Sequence, residues 1–140
     1  MKILLTIFVL FFSSSVLADD DLTGKKVICI KNQNDKIILL GFEFKKNKKV
    51  YVYEERSTTP LEYYNEQYET STSQIYIFTD LLGLKINHYF IDRTNLNVTH
   101  GKKFDGSGFN FKNGECSLTN ENIVKLFNQK LKNLKKQNIL

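Results

Sequence analysis

The chain has 140 residues, a formal net charge of +5, two cysteines, one proline and no tryptophan. That length allows one domain, and hydrophobic residues at 41% with charged residues at 25% exclude wholesale disorder. Two cysteines exclude a disulfide-dense mini-protein and a four-thiolate zinc site.

Lys2 precedes an apolar run, Ile3–Phe12, interrupted only by Thr6. Ser13, Ser14 and Ser15 follow, and Val16-Leu17-Ala18 puts small or apolar residues where a signal peptidase reads them. The run falls short of the about 20 residues that span a bilayer. The pattern therefore predicts a signal peptide over residues 1–18, cleaved near Ala18, and a periplasmic or secreted mature chain. Residues 19–24, opening on Asp19-Asp20-Asp21, then form an N-terminal tail. In an oxidising compartment Cys29 and Cys116 are expected to pair, because neither has a second cysteine or a histidine at ligand spacing.

Residues 25–120 read as an antiparallel β domain. Val27-Ile28-Cys29-Ile30 is a short apolar strand. Ile37 to Phe44 follows, with Ile38, Leu40, Phe42 and Phe44 on one face. Lys45 to Lys49 makes a turn in which Asn47 can adopt the left-handed conformation, and Val50 to Glu55 returns as the second arm of a hairpin. Ser57-Thr58-Thr59-Pro60 is read as a break. Glu62 to Glu69 alternates, with Tyr64 and Tyr68 on one side. Gln74 to Thr79 is β-branched and aromatic. Leu84, Ile86, His88 and Phe90 are assigned one face of the next strand, and Asp92-Arg93-Thr94-Asn95 a turn before Leu96 and Val98. Gly101 to Gly114 reads as a loop with one irregular strand, and Glu115 to Leu118 carries the second cysteine. Seven or eight short strands with no helical pattern between them pair antiparallel, because parallel strands need long crossovers. The expected architecture is mainly β, a meander forming a small barrel or a curled sheet.

From Glu121 the period changes. Ile123, Phe127, Leu131 and Leu134 recur at helical spacing, with Thr119 or Asn120 as the expected cap. The other face carries Lys125, Lys130, Lys132, Lys135 and Lys136. Residues 121–140 thus form a cationic amphipathic helix, which either docks on the body or lies on an anionic membrane surface.

Chemistry-bearing motifs are sparse. His88 and His100 are the two histidines, and nothing in the sequence selects a nucleophile or an acid to go with either. Asp105-Gly106-Ser107-Gly108 has the centre of a calcium loop, but Gly101, Lys103 and Lys112 stand where its acids belong. The same glycines lack the lysine and serine of a phosphate loop. No cofactor or metal site is expected, and no catalytic residue is assigned. Glu54, Glu55, Glu62, Glu66 and Glu69 read as the wet face of a sheet. Tyr51, Tyr53, Tyr64, Tyr68 and Tyr76 are the candidate interface, since tyrosine offers broad contact area with a polar tip. Asn97-Val98-Thr99 is a glycosylation acceptor only in a eukaryotic host. Nucleic acid is not expected as a partner: the basic residues are eighteen lysines with only Arg56 and Arg93, and base readout leans on arginine.

The order of several short motifs resembles a family of small exported proteins of streamlined marine alphaproteobacteria. They are Val27-Ile28-Cys29, Leu40-Gly41-Phe42-Glu43-Phe44, Tyr68-Glu69-Thr70, Gln74-Ile75-Tyr76-Ile77, Phe90-Ile91-Asp92-Arg93-Thr94-Asn95-Leu96, and Cys116-Ser117-Leu118 before a lysine-rich helix. Leu40 stands where such proteins tend to have tryptophan. The resemblance implies export and carries no activity. The chain is also loosely similar to the small disulfide-tied β-barrel lysozyme inhibitors of the bacterial periplasm, although Gly106-Ser107-Gly108-Phe109 does not match their serine-glycine-aromatic motif.

The expected function is a non-enzymatic binding or envelope-interaction module, its partner an envelope protein or a cell-wall component. The alternatives are a carrier holding an apolar ligand in the barrel and a lysozyme-inhibitor-like protein. Once Lys2 leaves, 19 basic residues face 15 acidic ones, and the tail's five lysines and one glutamate account for the whole +4. The body is neutral, and any electrostatic partner is expected at the tail.

Overall fold

The computed structural model describes residues 21–33, 36–56, 59–101 and 110–136. The export segment predicted over 1–18, the Asp105-Gly106-Ser107-Gly108 motif and the last four residues lie outside the described residues. Nine strands occur among them: β1 (Lys26–Gln33), β2 (Lys36–Lys45), β3 (Lys49–Arg56), β4 (Thr59–Thr70), β5 (Gln74–Leu81), β6 (Leu84–Asp92), β7 (Val98–His100), β8 (Asn110–Phe111) and β9 (Cys116–Leu118). One helix, α1 (Ile123–Lys136), follows. The fold is mainly β and antiparallel, as the alternation predicts, with one strand more than the seven or eight expected and three strands of only two or three residues.

The strands form one sheet in the order β8-β7-β6-β5-β4-β3-β2-β1-β9. A flat sheet of this order would hold β8 and β9 about 38 Å apart. Yet only residues 112–115 join them, and the five steps from Phe111 to Cys116 reach at most about 18 Å. The sheet therefore curls until its edges meet, giving a nearly closed barrel. Lys31 Nζ donates to the Asn110 carbonyl at 2.6 Å across that junction. Cys29 and Cys116 lie opposite each other in the β1–β9 ladder, Cα atoms 4.1 Å apart, and are joined by a disulfide.

Alternation sorts side chains between two cores. Val27, Cys29, Leu40, Phe42, Phe44, Val50, Val52, Ile75, Ile77 and Ile91 point inward and are buried. Edge-to-face pairs, Phe42 on Tyr89 (5.1 Å) and Phe44 on Tyr68 (5.0 Å), fill the interior. Ile28, Ile37 and Leu39 point outward, and α1 covers them with Ile123 and Phe127. This explains why Ile37-Ile38-Leu39-Leu40 is a continuous apolar run: the strand is buried on both faces. The helix thus docks on the body, its apolar stripe spent on β1 and β2.

Three local readings are corrected. The cap of α1 is Asn122, whose Oδ1 accepts the Lys125 N–H at 3.0 Å, rather than Thr119 or Asn120. Thr59 and Pro60 begin β4 instead of breaking the chain. Leu22, placed in a tail by the sequence, is fully buried and closes one end of the barrel. There its N–H donates to the Tyr68 hydroxyl at 3.4 Å, and the Gly24 N–H donates to the Phe44 carbonyl at 2.9 Å.

Candidate functional site

Toward the other end the interior becomes polar. On β3 the inward series Val50, Val52 continues to Glu54, and on β4 the series Tyr68, Tyr64 includes Glu66. These two carboxylates are therefore not on the wet face expected for them. Tyr64 and Tyr89 both donate to Glu54 Oε1, the first at 2.6 Å. Thr79 donates to Glu66 Oε2 at 2.7 Å and lies 2.7 Å from His88 Nε2. Since the one hydroxyl proton of Thr79 goes to Glu66, this network assigns the hydrogen to Nε2 of His88, which donates to Thr79. The Tyr64 and His88 rings, 6.5 Å apart, bring the two networks together. His100 stacks edge-on against Tyr89 at 5.0 Å.

A β-bulge puts His88 there. Ile77 pairs with Tyr89 but Phe78 pairs with Asn87, so His88 is the extra residue. It turns inward together with Tyr89, and Phe90 moves to the outer face against Tyr76 (5.7 Å). The single face assigned to Leu84, Ile86, His88 and Phe90 is therefore broken at Phe90. A bulge has no periodic signature, which is why the sequence does not show it.

Beside the bulge a neighbouring ladder stops. The β4–β5 pairing runs only from Gln67↔Phe78 to Thr70↔Ile75, whereas β3–β4 continues to Arg56↔Thr59 and β5–β6 to Leu81↔Leu84. Two hairpins thus splay apart at the open end. The β5–β6 ribbon carries Leu81, Leu82, Leu84 and Ile86 at 54%, 108%, 67% and 40% exposure. Ile86 pairs with Thr79, whose hydroxyl faces the interior, so Ile86 and, two residues before it, Leu84 share the inward face. The tip places Leu82 at φ 53° and Gly83 at φ 88°, a turn that favours asparagine or glycine over leucine.

The predicted interface tyrosines do not form one surface. Tyr68 is buried, Tyr64 points inward, and Tyr51, Tyr53 and Tyr76 lie outside. Lys45 Nζ sits 5.1 Å from the Tyr51 ring, while Tyr53 donates to Glu43 Oε2 at 3.2 Å beside α1. Of the tail lysines, Lys125, Lys132 and Lys136 are exposed and Lys130 is half-buried; Lys135 belongs to the last turn of α1. Asn97 of the glycosylation sequon has its Oδ1 buried.

Chemically, the polar layer is a hydrogen-bonded network of carboxylates, hydroxyls and one imidazole. A nucleophile–histidine–acid triad needs the acid on Nδ1 and the hydroxyl on Nε2. Here Thr79 and, at 3.8 Å, Glu66 both approach Nε2. Among the described residues no group of three or more His, Cys, Asp or Glu could hold a metal ion. No family model, curated protein or solved structure matches the chain.

Proposed function

We propose that the protein is an exported, non-enzymatic binding module of the cell envelope that recognises its partner with the open end of the barrel. One observation carries this reading: inward-facing leucine and isoleucine side chains stand exposed directly beyond a layer of interior carboxylates, tyrosines and a histidine. Large apolar groups held in water beside a polar interior mark a contact surface. The misfit of Thr79, His88 and Glu66 to a triad supports a non-enzymatic role, and the disulfide supports an oxidising compartment.

A photocrosslinking residue placed at Leu84, and separately at Tyr76 on the outer wall, tests the reading in cells exporting the protein. Adducts should form from position 84 and not from 76. Adducts from 76 alone would return the interface to the outer tyrosines. Turnover of a cell-wall substrate lost in His88→Ala would overturn the non-enzymatic assignment.

The same exposed inner-face residues favour, as a second reading, a small apolar ligand. Phe42, Phe44, Tyr68 and Tyr89 already occupy the deeper interior, so such a ligand would rest at the mouth. Native mass spectrometry of protein recovered from the exporting cells checks it, and loss of a co-purifying mass in Leu84→Asp is the expected result.

A further inference from the structure

The fork between β4 and β5 leaves backbone groups without a ladder partner among the described residues. The Tyr68 N–H donates to the Lys48 carbonyl, so the even-numbered residues of this part of β4 turn their backbone groups toward β3. By alternation Asn65 turns its N–H and C=O toward the β5 side, where the ladder has already stopped at Gln67↔Phe78. Asp80, across the gap on β5, continues the series of Phe78 and faces back toward β4. Both residues are exposed, and neither has a ladder partner across the fork among the described residues. An exposed strand edge is a row of unmet donors and acceptors, and an extended polypeptide is the ligand that presents the matching row.

We propose that this β4 edge is a β-augmentation site that takes an extended segment of another protein with apolar residues at alternate positions. The proposal rests on the binding reading above and names the mode and the partner. A strand added at Asn65 would turn every second side chain into the barrel mouth, onto Leu81, Leu84 and Ile86. The intervening side chains would face outward with Asn65 and Gln67, which are polar and exposed. The apolar lip thus supplies specificity and the edge supplies register. The bulge at His88 lies beside both features, and bulges bend the strand that carries them. Leu82, held exposed at positive φ, extends the apolar lip at a position where leucine is conformationally disfavoured.

The test uses the disulfide-bonded protein and a short peptide alternating leucine and serine. A second peptide carries N-methyl groups on alternate amides, and decanoate serves as a small apolar probe. The unmodified peptide should bind and slow exchange of the Asn65 amide. N-methylation and Leu84→Asp should each weaken it about tenfold or more. Asn65→Pro removes a donor that faces away from β3 and should abolish binding; if that variant does not fold, the N-methylated peptide decides. Equal affinity for the methylated peptide overturns the proposal. Binding of decanoate without the peptide overturns augmentation and leaves the mouth as a binding site. Binding of neither probe, with no crosslink from Leu84, overturns both readings. A dimer that protects the Asn65 amide without peptide overturns it in favour of a second copy of this chain.

Discussion

Gly41 is the position where a single atom matters most. It lies on the outer face of β2, and a Cβ built there would meet Ile123 Cγ2 at 2.8 Å and Phe127 Cζ at 3.1 Å. Ile123 is β-branched and stiff at χ1, so the contact is relieved only by lifting α1. Gly41→Val should therefore destabilise by about 1–3 kcal/mol, read from the urea midpoint. Glu43, two residues on, makes a pH prediction. Burial pushes its carboxyl up, but the hydrogen bond and charge of Lys45, the Tyr53 hydroxyl and the charge of Lys26 outweigh it and hold the carboxyl below its usual range. A group depressed in the folded state contributes above its unfolded value of about 4.3 and loses that contribution as pH falls through the folded value. Urea unfolding at neutral pH and near pH 3.5 should show a smaller drop in stability for Glu43→Gln than for the parent. Equal drops would remove Glu43 from the acid response. At this scale the sequence held more than its residue types disclose. Glu54 follows Val50 and Val52 at period two, and Glu66 falls between Tyr64 and Tyr68, so both inward carboxylates were legible from alternation. Alternation puts His88 on one face with Leu84 and Ile86, but the bulge that aims it inward leaves no trace in residue spacing.

Elements with a regular period were legible, and the exceptions are instructive. The β2–β3 hairpin, the turn at Asp92–Asn95 and the helix follow from alternation, turn residues and the 3.6 period. The continuous run in β2 already signals burial on two faces, and α1 supplies the second cover. What separates docking of α1 from a membrane role is which side of the helix is occupied, and Ile123 and Phe127 are fixed beneath it. The helix start depends on Asn122, whose side chain satisfies an N–H that has no intrahelical partner. Asn122→Ala should cost about 1 kcal/mol by chemical denaturation. Thr119→Ala should cost less, since Thr119 bonds the Glu121 N–H ahead of the helix. If the two variants lose the same stability, the helix is held by its docking face and not by its cap. The β5–β6 ribbon is the element the sequence understates. Leu81-Leu82-Gly83-Leu84 reads as ordinary apolar strand and turn, and its exposure arises only because the neighbouring ladder ends.

At the scale of the whole molecule, closure rests on the chain's last β residues. β9 is three residues long and, among the strands of the described residues, pairs with β1, yet it returns the chain to the first strand and leads into the helix that covers the outer core. A ladder so short has few hydrogen bonds with which to oppose opening, and the Cys29–Cys116 bond, with a sequence separation of 87, compensates by restricting the unfolded chain. The chain-entropy model puts that restriction at about 4–5 kcal/mol for a loop of this size. The sequence predicts the pairing from compartment and count, but not its place directly across a ladder, which depends on the turn at residues 112–115. Replacing both cysteines with serine should lower the unfolding free energy by several kcal/mol, toward that limit. The loss should also be uneven, because β1 keeps its ladder with β2 while β9 keeps a three-residue ladder with β1. Hydrogen exchange of the serine variant should therefore show β9 and α1 losing protection before β2, β3 and the lower part of β4. Uniform loss across the sheet would mean that the barrel opens as one unit and that the disulfide acts on the whole molecule rather than on its closing strand.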